Sequence, residues 1–385
     1  MDLIRLIVRN VFRHRLRSCL TILGVMVAIL AFGMLRTLVD AWYAGVGAAS
    51  ANRLITRNKI SLIYSLPLAY RSKILQVNGV TGVGHGIWYG GIYQDKKNFF
   101  PQLAVSGIDY LNLYPEYLLE ESEKLAFERE RNAAVVGRKL ADRFGWKLGD
   151  MIPLQGTIYP GNIELVLRGI YRGARSNVDE TALFFRWDYI NEMLKKSAPE
   201  RADRTGWYLL HIKDADRAAE ISEEVDALFK NSLAETLTET EKAFQMGFVA
   251  MTDAIVGAIQ VISVVVIGII LIVLANTMAM TARERSVEYA VMKTMGFRVA
   301  FIFTLIAGES VAIAVIGGIA GAVLSFPAGQ IFQGMLEAFL PVFDITATTL
   351  VLMIGISIFI GLIAALPPAI RACRMGIAEG LRHIG

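Results

Sequence analysis

The chain has 385 residues, is 54% hydrophobic with a mean hydropathy of +0.47, and carries a net charge of +4. The Lys and Arg residues sit beside apolar runs and form no nucleic-acid patch, which points away from a nucleic-acid binder and toward a membrane protein. The two cysteines, Cys19 and Cys373, fall at the ends of apolar runs, so no disulfide framework is present.

Taken in chain order, residues 1–18 read as an interfacial helix. Arg5, Arg9, Arg13 and Arg17 recur every four residues, with Leu3, Ile7, Val11 and Leu16 on other faces. Simple anchoring by positive charge explains the same pattern, and both readings stay open. Residues 19–40 form a first span and the start of a stalk. No clear small-residue cleavage site follows, so the stretch reads as a span, not a leader. Residues 41–248 have the composition of a soluble domain. Leu38, Trp42 and Val46 at its entry, and Leu233, Leu237, Phe244, Phe248 and Met251 at its exit, are spaced as two stalk helices. Flexible linkers are the alternative. Within the domain, strands are expected at 60–64, 80–93, 133–136, 151–154, 164–171 and 207–212, and helices at 68–77, 138–144 and 215–229. This is an α+β pattern. A Glu-rich stretch at 116–131 reads as a break between two lobes.

A second span follows at 249–280, then a charged hairpin at 281–299, a third span at 300–325, a short loop at 326–347 and a fourth span at 348–367. Each span is close to the roughly 20 residues a helix needs to cross. Pro367-Pro368 is expected to end the fourth helix, leaving 368–385 as a tail. Basic residues flank the first span (Arg5, Arg9, Arg13, Arg15, Arg17), fill the hairpin (Arg283, Arg285, Lys293, Arg298) and recur in the tail (Arg371, Arg374, Arg382). Residues 326–347 carry no Lys or Arg. The positive-inside rule then puts both termini and the hairpin in the cytoplasm, with 41–248 outside.

The hairpin is the best-formed polar feature. A charged segment between two spans emerges at one membrane face. Glu284 and Glu288 stand four apart, and Val287, Val291, Met292 and Met295 share another side, as on a short helix. Arg283, Glu284, Arg285 and Glu288 are expected to bond across an interface with a partner. Val291, Met292 and Met295 would fill a groove of that partner, and Gly296 would allow the turn into the third span. Glu309, inside the third span, is either a structural pairing or capping group or a site of ion or proton handling. Gly317, Gly318 and Gly321 let a second helix approach closely, whether within one subunit or between two.

The sequence contains no G-x-x-x-x-G-K-[ST] phosphate loop, no H-E-x-x-H, no EF-hand loop and no G-x-S-x-G elbow, and its four histidines are scattered. No catalytic set, metal site or cofactor site is expected.

Three blocks carry a resemblance: RNVFRHRLRSCLTILGVMVAIL at the start, ERSVEYAVMKTMGF in the hairpin, and ALPPAIRACRMGIAEGLR at the end. Together they resemble the permeases of MacB/FtsX/LolC-type ABC transporters, the mechanotransmitters. Glu284, Arg285, Glu288 and Gly296 match that family's coupling segment, while Ala290, Thr294 and Phe297 depart from it and Ile377 replaces a usual proline. The segment AAVVGRKLADRFGWKLGDMIPLQG, followed by ELVLRGIY, resembles the family's periplasmic core domain. The resemblance implies four transmembrane helices with a large α+β extracytoplasmic domain inserted between the first two, in a bacterial inner membrane. It implies a non-catalytic subunit served by a separate cytoplasmic ABC ATPase that binds ATP and Mg. It further implies a second permease copy, as homodimer or heterodimer, and in some members a periplasmic membrane-fusion protein. The implied activity is export or extraction of a peptide, drug, lipid or lipoprotein; the alternative is FtsX-like signalling to an extracytoplasmic hydrolase.

Overall fold

The computed structural model describes residues 2–175, 177–250, 252–336 and 343–376. Met251, Ile377, Arg382 and the rest of the tail beyond 376 lie outside the described residues. The chain forms two units. One comprises the described residues of 1–40, 253–334 and 343–385, and the other those of 41–252 together with 335 and 336.

Among the described residues, four helices are long and apolar enough to cross a membrane, Arg15–Trp42, Asp253–Glu284, Val299–Gly334 and Ala347–Arg374, and all of them but Ala41 and Trp42 lie in the first unit. Each extends beyond its apolar core. The third helix passes Pro327 and continues to Leu336, shortening the expected loop. The fourth passes Pro367 and Pro368 and ends at Arg374, which corrects the expected break. Buried Ala364, Ala365, Pro368, Ala369 and Ala372 pack this stretch against its neighbours, and packing outweighs the hydrogen bonds that proline removes. The N-terminal helix stops at Val11, and a turn precedes the first span. The four-residue Arg stripe is therefore interrupted: Arg13 sits in the turn and Arg17 on the first span.

The glycines of the third span face its own chain. A Cβ added to Gly317 would lie 2.9 Å from the Ile22 carbonyl oxygen, and one on Gly321 2.8 Å from that of Met26. Gly318 stands directly against Ser357 of the fourth span. Close backbone approach thus seats the third helix against the first and fourth.

The second unit is built on one mixed sheet. Its strands, in chain order, are β1 (Arg53–Asn58), β2 (Leu66–Pro67), β3 (Val80–Trp88), β4 (Gln102–Val105), β5 (Tyr117–Leu118) and β6 (Ala133–Gly137). Then come β7 (Met151–Gln155), β8 (Asn162–Gly173), β9 (Leu183–Arg186), β10 (Arg204–Thr205), β11 (Trp207–Ile212) and β12 (Thr236–Thr240). Ten of them make a sheet of order β12-β1-β11-β3-β4-β9-β6-β8-β5, with β7 on β8, while β2 and β10 pair apart. The sheet runs unbroken through β4, β9 and β6, with Ala104 opposite Phe185 and Phe185 opposite Ala134. The expected lobe boundary at 116–131 is therefore absent. That stretch forms β5 and the helix Glu121–Arg129, started by a Glu120–Glu123 capping box and anchored by fully buried Phe127.

Two further expectations fail at the domain's ends. The strand expected at 60–64 lies instead at β1, and Ile63 is 90% exposed in the following loop. On the exit side Leu237 belongs to β12 and Leu233 is exposed, so helix begins only at Glu241. Trp42 Nε1 donates to Thr252 Oγ1 at 2.7 Å, joining the two ends of the insertion.

His85 on β3 is 7% exposed and meets Trp187 edge-on at 4.9 Å, and neither ring nitrogen has a hydrogen-bond partner. Burial, aided by the charge of Arg71, lowers its pKa from 6.5 to about 4. The unfolded chain binds the proton near pH 6.5 and the folded domain only near 4, so stability is lost as pH falls through that window. We expect the domain to lose about 3 kcal/mol there. His85→Phe should flatten that pH dependence. All five tryptophans (Trp42, Trp88, Trp146, Trp187, Trp207) lie in this unit, so tryptophan fluorescence of the intact chain during denaturant titrations at pH 7 and pH 4.5 reads it directly.

Candidate functional site: the hairpin end of the membrane unit

The second span ends at Glu284, and a nine-residue helix, Ser286–Thr294, follows Arg285 without a loop. It is closed by a Schellman turn. The Phe297 amide donates to the Met292 carbonyl and the Gly296 amide to that of Lys293, with Gly296 at φ +86°. A left-handed residue there is most cheaply glycine. The turn fixes the angle at which the chain enters the third span.

The sequence-predicted residues divide between two faces. On the inner face, Arg285 has a side chain 6% exposed and Glu309 one 4% exposed. Arg285 Nη1 donates to Glu309 Oε1 at 2.6 Å and to Oε2 at 2.9 Å, and its Nε donates to Glu288 Oε2 at 3.0 Å. Its guanidinium also stands 5.6 Å from the centre of the Tyr289 ring. Glu309 accepts a further hydrogen bond from Asn10 Nδ2 at 2.6 Å. Burial works against the charge on Arg285, but Tyr289 and Glu309 outweigh it and the pKa is raised. Glu288 accepts from Arg13 as well as Arg285; burial pushes its carboxyl up, and these two hydrogen bonds bring it below the usual range. The structure thus turns Arg285 away from the solvent face on which a partner was expected to meet it, and spends both oxygens of Glu288 within the chain.

Beside this pair, Glu284 receives a two-pronged contact from Arg17 of the first span, at 2.7 and 2.8 Å. Lys293 Nζ donates to the carbonyls of Ala372, Cys373 and Met375 at 2.9, 3.1 and 2.7 Å, closing the end of the fourth helix. A cation at a helix C-terminus also offsets the helix dipole there. The hairpin end is therefore tied to the first span through Glu284, to the third through Arg285 and to the fourth through Lys293.

On the outer face Val291 is 41% and Met295 63% exposed, with Arg283 exposed and Phe297 44% exposed. Met292 is half-buried against the core of the membrane unit. Sequence reasoning missed Asn10, Arg13, Arg17 and Phe297 as members of this site, and placed Lys293 in the charged hairpin without its partners. The first three are more than 260 residues away in sequence from their partners, beyond any local pattern. Phe297 was legible only as the apolar residue after the turn glycine.

Comparison with known proteins covers both units. Residues 260–377 match the FtsX-like permease C-terminal family, and residues 18–228 match the MacB-like periplasmic core domain. An uncharacterised ABC transporter permease of Methanocaldococcus jannaschii is 22% identical, with 99% of this chain and 98% of that protein aligned. An uncharacterised ABC transporter permease protein of Mycobacterium tuberculosis is 25% identical over 66% of this chain, which covers 29% of that longer protein. Among solved structures, the extracellular domain of the transporter YknZ from Gram-positive bacteria matches 49% of this chain over all of its own length, at 12% identity and a TM-score of 0.35.

Proposed function

Because this chain belongs to the ABC transporter permeases of the MacB and FtsX type, we propose that its hairpin helix receives a separate cytoplasmic ATPase and passes that motor's movement to the spans behind it. The observation that carries this reading is the division of the helix into two faces. The outer face offers exposed apolar side chains, Val291, Met295 and Phe297. The other side of the hairpin end is held by ionic and hydrogen-bonded links, to the first span through Glu284 just before the helix, to the third through Arg285 and to the fourth through Lys293. A partner pressing on such a helix moves several spans together. Buried charge pairs resist shear because separating them leaves each charge uncompensated.

In this reading ATP and Mg are bound by the partner, and the hairpin and both termini face the cytoplasm. Residues 41–252 work on the outer side, where they act on a peptide, drug, lipid or lipoprotein substrate. A second copy of the permease and, in some assemblies, a membrane-fusion protein complete the machine.

Co-purification from native membranes tests it. The wild-type chain should bring down an ABC ATPase, and Met295→Glu should weaken recovery by about thirtyfold or more, the scale of an interface hot spot. Val261→Glu is no control, since a charge in the spans alters insertion; Lys96→Glu, on an exposed loop of the inserted domain, should recover the ATPase fully. Equal recovery with Met295→Glu and wild type would reject the docking face.

A further inference from the structure

We propose that the inserted domain carries a binding site for a small apolar anion, and that the domain's neck senses its occupancy. The site is a cavity of about 340 Å³ under β5 and β8, within the size range of small-molecule pockets. Tyr114, Tyr117 and Tyr171 form one wall, Ile108 and Leu111 contribute apolar surface, and Lys124 is the one charged side chain among the described lining residues. Among the described residues no carboxylate lines it. An apolar body therefore suits the walls and a single carboxylate or sulfonate suits the lysine. Lys124 pairs with Glu121 at 2.8 Å, and the Glu121 side chain is 80% exposed. An exposed pair of that kind is worth at most about 1 kcal/mol and yields readily to a ligand anion.

A second observation connects this wall to the neck. Tyr171 and Tyr117 lie 4.7 Å apart, Tyr117 and Tyr114 stack at 5.0 Å, and the Arg53 guanidinium lies 4.3 Å from the Tyr114 ring centre. Arg53 is 3% exposed. It grips the wall segment through the Leu113 carbonyl at 3.2 Å and through both oxygens of Glu116. With its Nε it donates to Glu241 Oε2 at 2.7 Å, and the same oxygen accepts the Ser50 amide at 2.9 Å. Glu241 is the first residue of the helix Glu241–Ala250, which precedes the second span in sequence. One buried guanidinium thus joins the cavity wall to both the entry and the exit of the domain. A ligand that fixes Tyr114 and Tyr117 fixes Arg53, and through it Glu241.

The test uses the purified full chain in detergent and a photoreactive aryl-diazirine benzoate, with its neutral methyl ester as the comparison. Light should attach the benzoate to peptides spanning 108–119 or containing Tyr171. Ile108→Trp, which fills the cavity, should cut that labelling by at least about tenfold, a loss of about 1.4 kcal/mol in binding. Lys124→Met should weaken the benzoate by about fivefold and leave the ester unchanged, as expected for one partly exposed charge pair. Tryptophan fluorescence confirms that each variant is folded. Saturating benzoate should slow amide exchange across 241–250, and Glu116→Gln should keep the labelling but lose that protection. Labelling spread over the spans and indifferent to Ile108→Trp, or equal loss of benzoate and ester in Lys124→Met, overturns the anion site. Labelling with unchanged exchange at 241–250 in the wild type, or protection that survives in Glu116→Gln, overturns the link to the neck.

Discussion

Replacing Glu309 by leucine should destabilise the membrane unit by about 3–5 kcal/mol, the usual cost of removing one partner from a buried pair. The substitution leaves the Arg285 guanidinium, 6% exposed, facing apolar helix surface with only Glu288 as counter-charge. It also removes the acceptor of Asn10. Removing both charges, as Glu309→Leu with Arg285→Met, should restore most of the lost stability, because a well-packed apolar pair of similar volume is often as stable as the ion pair it replaces. Unfolding midpoints in mixed micelles, followed by far-ultraviolet circular dichroism, separate the cases. The account expects a low midpoint for the single variant and a near-normal one for the double. The double variant should nevertheless transmit poorly, since the strut from hairpin helix to third span is gone. Equal midpoints for wild type and Glu309→Leu would mean that the pair is not buried as described.

A second large effect on the membrane unit is expected at Gly321. A Cβ there would stand 2.8 Å from the Met26 carbonyl oxygen and 3.2 Å from the Leu30 amide nitrogen. Both are backbone atoms of the first span and cannot rotate aside. Gly321→Leu should therefore push the first and third helices apart and cost about 1–3 kcal/mol or more, as overpacking does. Gly355, on the fourth span, has nothing within 4 Å of an added Cβ, and Gly355→Leu should stay within about 0.5 kcal/mol of wild type. The comparison also addresses what the small residues are for. A stability loss that persists in dilute, monomeric detergent samples assigns Gly321 to packing within one chain; a loss seen only where copies associate assigns it to a subunit contact.

Much of this architecture was legible because its signals are local. Four apolar runs, the basic flanks and the helical spacing of Val291 and Met295 are read within windows of 20 residues or so, and each apolar run lies in a helix long enough to cross a membrane. The failures have a common physical cause. Strand β1 reads RLITRN, too polar to look buried, yet Arg53 and Thr56 are buried because Glu116, Glu241 and Thr238 supply their partners from distant segments. The flanking residues 60–64 look more strand-like and are left in the open. Pro367-Pro368 reads as a stop, but burial of the fourth helix's own small residues, Ala364, Ala365, Ala369 and Ala372, against the rest of the unit carries the helix past it. At the hairpin the sequence names the charged residues but not the directions in which they point. Which way Arg285 points is decided by Glu309, across the Schellman turn and a full turn and more of the third helix, and no periodicity of the hairpin alone contains that information.

The central claim, that a motor docks on the outer face of the hairpin helix, is tested most directly by a photocrosslinker placed at Met295. The side chain is 63% exposed and takes no part in the Arg285–Glu309 network, so p-benzoylphenylalanine fits there without disturbing the anchors. Illumination of intact cells expressing this variant should yield an adduct with a nucleotide-binding ABC ATPase, identified by mass spectrometry. The same adduct fixes the hairpin on the cytoplasmic side. The crosslinker placed at Lys96 of the inserted domain should not give that adduct. Adducts from position 295 that contain only lipid or an extracytoplasmic protein, with no ATPase among them, would contradict the account.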